Sequence, residues 1–153
     1  MADLVDSTMH VQWGPNVITK TLGQSSSANI TVVRGQPGFI GVDADSNADR
    51  VVDIDSIGAE AATGIILTKT ADILYTNNQV SFLQFPCRIE TNNVASAAVP
   101  TATADNRVYI DDNGQFSNAD GGSAGHSYGD CSGTRSIAGV TFYSLNLTGR
   151  DET

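Results

Sequence analysis

The sequence predicts a mostly β, single-domain protein folded as an antiparallel barrel or sandwich, with minor short helices and an N-terminal arm. Three observations carry this. Short runs rich in Val, Ile, Thr, Phe and Tyr recur along the chain, punctuated by Gly, Pro, Asn and Asp. No stretch sustains the apolar spacing of a long helix. At 153 residues the chain suits one core and should bury about two-thirds of its unfolded surface, so no disulfide is required to hold it together.

Residues 1–28 read as an N-terminal arm or extended segment. They hold two strand-compatible pieces, 9–13 and 17–21, broken by Gly14 and Pro15. They end in Gly23, Gln24, Ser25, Ser26, Ser27 and Ala28, the composition of a flexible connection. The β domain then spans 29–153. Its predicted strands are 29–34, 38–42 after the Gln36-Pro37 break, 50–54, 64–68, 79–85, 87–90, 107–111 and 136–147. Residues 56–62 and 94–98 have the Ala content for a helical turn, though each is too short to stand without packing. A long loop is expected near 117–135, where Gly121, Gly122, Gly129 and Gly133 interrupt any ladder.

The clearest local prediction is a hairpin over 104–117. Val108, Tyr109 and Ile110 favour a strand, Asp111, Asp112, Asn113 and Gly114 supply a turn tolerant of positive φ, and Gln115, Phe116 and Ser117 begin the return. Phe82, Leu83, Phe85, Phe142, Tyr143 and Leu145 read as core.

Net charge is −9, with Lys20, Lys69 and six arginines against seventeen acids. Phosphate binding needs clustered cations, so nucleic acid is not an expected partner. The acids read first as a solvated surface and second as a complement to a basic protein partner. The start, Met1 to Asp6, has neither the basic residues nor the apolar run of a signal peptide, and no membrane span is expected. Cys87 and Cys131 read as reduced thiols ahead of a disulfide. Sequons at Asn29 and Asn146 have no export signal to give them meaning.

Several patterns imitate chemistry. Asp43, Asp45, Asn47 and Asp49 alternate oxygen donors as in half a calcium loop, but Ala48 and Ile54 stand where an EF-hand needs Gly and a bidentate Glu. A polar turn is the plainer reading. Asp130, Cys131 and Ser132 between Gly129 and Gly133 have the look of a cysteine-protease loop. Catalysis there needs a histidine at hydrogen-bond reach, and His10 and His126 are the chain's two histidines. No zinc spacing, Walker loop or dinucleotide fingerprint occurs. The pairs Asp53 with Asp55 and Asp111 with Asp112 do not by themselves flank a sugar. No catalytic, metal or cofactor site is assigned, and the chain is expected not to be an enzyme.

The 104–117 segment resembles part of the decoration, or cement, proteins that coat tailed-phage capsids. The resemblance extends upstream to the small-residue run from Gly58 into Ile65, Ile66 and Leu67, and downstream to residues 137–142, covering roughly 38–142. It implies a virion structural protein, made in the host cytoplasm, that binds the outer surface of an assembled capsid and bridges neighbouring subunits. The implied partner is the major capsid protein, with a homo-oligomer on the shell and a trimer among the forms to test. Met9, Val11, Trp13, Val17 and Ile18 of the arm are the candidate capsid contacts. The alternative is a carbohydrate- or calcium-binding β-module, such as one on a viral fibre.

Overall fold

The structure, a computed structural model, describes residues 9–23, 30–32, 34–43, 46–53, 62–68, 71–73, 79–103, 105–111, 114–119 and 127–149. Among them every regular element is a strand. In chain order these are β1 (Met9–Trp13), β2 (Val17–Thr21), β3 (Ile30–Val32), β4 (Pro37–Gly41), β5 (Arg50–Asp53), β6 (Gly64–Ile66) and β7 (Ala71–Ile73). β8 (Gln79–Gln84), β9 (Cys87–Thr91), β10 (Arg107–Ile110), β11 (Phe116–Ser117), β12 (Gly129–Ile137) and β13 (Val140–Leu147) follow. The six-stranded sheet runs β1-β9-β13-β12-β10-β11, the five-stranded sheet β2-β8-β6-β4-β5, and β3 pairs with β7. All these pairings are antiparallel, as the alternating patterns and short turns predict.

The five-stranded sheet curls until its ends meet. Leu22 bridges Val51, the Gly23 amide donates to the Val51 carbonyl at 2.7 Å, and Lys20 reaches both carboxylate oxygens of Asp49 at 2.7 Å. At β6 and β8 this half-barrel is buried on both faces, which an antiparallel sheet with one wet side is not. Ile65 and Leu83 point at the six-stranded sheet and join Met9, Cys87, Ile89, Val108, Ile110, Leu145 and Leu147 in the larger core cluster. Their chain neighbours Ile66 and Phe82 face into the curl with Leu22, Val51 and Val80. Two-sided burial explains why Ile65-Ile66 and Phe82-Leu83 are consecutive apolar pairs instead of alternating ones.

The 104–117 hairpin forms as predicted. Tyr109 pairs with Ser117 and Ile110 with Phe116. Gly114 has φ 74°, and the Asp111 side chain accepts the Gln115 amide at 2.9 Å, so the turn uses both residue types for the reasons that made them readable.

Other expectations are corrected. Residues 94–98 form no helix: Val94 bridges Phe116, and one turn closes from the Ala98 amide to the Ala95 carbonyl at 3.2 Å. Of the other helical candidate, 56–62, all but the buried Ala62 lies outside the described residues. The loop expected to run to 135 ends before Gly129, because β12 occupies 129–137. A Cβ on Gly129 would stand 1.8 Å from the Asn146 carbonyl oxygen, so this glycine permits a strand pairing that the sequence alone argues against. The single strand expected over 136–147 is instead the second half of a hairpin, turned at Ala138 and Gly139 with φ 52° and 84°.

Nor are residues 9–23 an arm set apart from the domain. β1 pairs with β9 and β2 with β8, giving each sheet one of its outermost strands. The first eight residues and the serine-rich connection lie outside the described residues.

Candidate functional site

The first two strands meet at a bend where the chain passes from one sheet to the other. A Cβ on Gly14 would come within 2.5 Å of Leu83, and the Asn16 carbonyl accepts the Gln84 amide at 2.9 Å, so the bend is pressed onto β8. The large apolar side chains exposed among the described residues are Val11 (40%), Trp13 (51%), Val17 (50%) and Val42 (60%). Three of them lie between positions 11 and 17, on the outer strands of two sheets.

Of the five contact candidates read from sequence, the structure leaves Val11, Trp13 and Val17 at the surface. Met9 is 1% exposed within the larger core cluster, and Ile18 is half-buried against the smaller one. Both are corrected to packing residues. Period-two alternation puts Met9 and Val11 on the inward face of β1, where Met9 is covered and Val11 stays partly exposed. Trp13 is exposed for another reason. The register passes from Val11 opposite Ile89 to Trp13 opposite Arg88, so Gln12 is a bulge, and the extra residue turns Trp13 to the outer face beside Arg88. No sequence signal marks that bulge.

The outer face of the six-stranded sheet carries an unpredicted charge network. Glu90, 2% exposed, accepts two 2.6 Å hydrogen bonds from the Arg135 guanidinium, and His10 Nδ1 lies 3.3 Å from Oε1, one of the two oxygens that Arg135 holds. The His10 ring packs on Phe142 with centroids 4.9 Å apart. The Arg135 hydrogen bonds hold the Glu90 carboxyl below the usual carboxylate range, outweighing desolvation, and raise Arg135 in turn. This network joins β1, β9 and β12. Parallel to it, cross-strand register aligns Trp13, Arg88, Asn146, Asp130 and Arg107. Arg88 Nε donates to Asn146 Oδ1 at 2.7 Å, and Asn146 Nδ2 donates to Asp130 Oδ1 at 2.9 Å.

The patterns that imitate chemistry resolve into structure. Cys131 is a buried strand residue, not a loop residue, and burial pushes its thiol pKa up. Burial raises Cys87 to about 12. A thiolate nucleophile needs the opposite shift. Both cysteines are unpaired. Asp43 turns its carboxylate onto the Asn47 amide at 2.9 Å and the Asn47 side chain at 3.2 Å, the local bonding of a polar turn. Asp45, like Asp55, Asp112 and His126, lies outside the described residues. Among the described residues no group of three or more His, Cys, Asp or Glu side chains is placed to hold a metal.

An open cleft of about 440 Å³ lies between Asn106, Arg107, Ser127, Asp130 and Thr148. Its described lining contains no aromatic ring on which a sugar would stack. No protein-family model, curated protein or solved structure matches the chain.

Proposed function

We propose that this chain is a non-enzymatic virion structural protein. It binds the outer surface of an assembled capsid and stabilises the shell by bridging neighbouring capsid subunits. The observation that carries the reading is the placement of Val11, Trp13 and Val17 on outer strands of both sheets, where the other large apolar residues described are mostly internal. Isolated exposed apolar residues are ordinary, but tryptophan is among the side chains that concentrate binding energy at interfaces, and exposed Val11 and Val17 flank Trp13 along the chain. Among the described residues β1 pairs with β9 alone, so a strand of the major capsid protein can add to its other side through main-chain hydrogen bonds. Each bound copy adds buried area where subunits meet, and many copies, as a homo-oligomer on the shell, turn modest single-site affinity into particle stability.

The test is co-sedimentation of the purified chain with emptied particles of the virus that encodes it. Wild-type chain should pellet with the shells and raise their disruption temperature. Trp13→Ala should weaken attachment about tenfold or more, in the range of an interface tryptophan. Absence of the chain from particles, with no affinity for shells, overturns the reading.

A further inference from the structure

We propose that the outer face of the six-stranded sheet recognises carboxylate side chains on its protein partner, through Arg88 set beside Trp13. This deepens the interface reading above by naming what the partner presents to β1 and β9. The first support is the positioning of Arg88. Its Nε is committed to Asn146, whose own amide is fixed by Asp130, so the guanidinium is held from behind by a two-bond relay. Arg88 is exposed, and its terminal nitrogens have no second acceptor among the described residues. A planar fork fixed at one nitrogen and open at the others matches a carboxylate in two-point geometry.

The second support is charge segregation. Arg88, Arg107 and Arg135 share this face, and Glu90, Asp105 and Asp130 are bonded into its networks, so the three charges of each sign cancel among the described residues. The chain's net −9 therefore resides elsewhere. Arg135 and Arg107 are matched by Glu90 and Asp105, whereas Arg88 is joined to a neutral amide. Arg88 is thus the arginine of this face with no directly bonded carboxylate among the described residues, at the end of the row where Trp13 supplies an apolar flank. Arginine and tryptophan together are the side chains that concentrate binding energy at interfaces. Repulsion from the distant acids is screened beyond about 8 Å at physiological salt, so a partner carboxylate docks by short-range contact.

The experiment follows the Arg88 Nε–H and Trp13 indole N–H signals of the isotope-labelled full chain by NMR. It is titrated with the blocked tetrapeptide Leu-Glu-Leu-Glu and with its Leu-Gln-Leu-Gln counterpart. The carboxylate peptide should move both signals and bind about tenfold more tightly than the amide peptide, as expected for a charge-assisted contact. Arg88→Gln should abolish that preference without lowering the melting temperature, and Arg88→Lys should retain part of it. Equal affinity for the two peptides, no binding of either at about 10 mM, or an unchanged preference in Arg88→Gln overturns the proposal. Shell co-sedimentation separates the two readings. Shells that bind while the peptide preference is absent leave the capsid reading standing alone, and a peptide preference without shell binding leaves the carboxylate site standing alone.

Discussion

Two residues on one strand show how position decides what an apolar side chain does. Met9 and Trp13 look alike as arm anchors in the sequence, yet Met9 fills the core and the Gln12 bulge turns Trp13 outward. Met9→Ala should therefore cost about 2–5 kcal/mol in a urea titration, the range for emptying a buried methionine site. A loss below about 1 kcal/mol would show that the site relaxes like a surface position. On the opposite face, Glu90 makes stability depend on acid. Its folded-state pKa lies below the ordinary 4.5, so its stabilisation is present above about pH 4.5 and is lost as pH falls through the lowered value. Glu90→Gln should be less stable than wild type at neutral pH and lose less stability on acidification. Parallel stability-versus-pH curves for the two proteins would remove Glu90 from the account.

Turns and glycines decided how legible each element was. The hairpin at Asp111–Gly114 was readable because its turn uses Asp and Gly in roles that local chemistry requires. The turn between β12 and β13 was not, because Ala138 sits at φ 52°, where Asn or Gly is usual, and the flanking Ile137 and Val140 made the stretch read as continuous strand. Ala138→Asn should relieve that conformation and raise stability by roughly 0.5–1 kcal/mol, measured by chemical denaturation. A neutral or destabilising result would mean that the left-handed backbone at 138 is not strained. Gly129 misled in the other direction, since its lack of a side chain serves close approach to Asn146 and not loop flexibility. The candidate surface was legible only in part. Its apolar residues stand out against polar neighbours, but the bulge that aims Trp13 and the register that aligns it with Arg88 are tertiary facts without a local signature.

At the scale of the whole molecule, the two sheets are not separable from their first strands. The larger core cluster takes Met9 from β1, Leu83 from β8 and Leu145 from β13, while the curl of the second sheet closes through Leu22 and Gly23 onto Val51. Removing residues 2–23 would strip an outer strand from each sheet and reopen the half-barrel. It would also expose the backbone edges of β8 and β9 that β2 and β1 now cover. An arm laid over a finished domain predicts an unchanged melting temperature after this deletion, whereas an integral pair of strands predicts that the remaining chain loses its cooperative transition. We expect the second result, read by calorimetry on the truncated chain beside the full one. The larger core cluster, which both sheets share, further predicts that the full chain unfolds in one transition, with calorimetric and van't Hoff enthalpies in agreement. A truncated chain that melts cooperatively near the wild-type temperature would return residues 1–23 to the status of an appendage, and the binding role of Trp13 would then be that of a detachable arm.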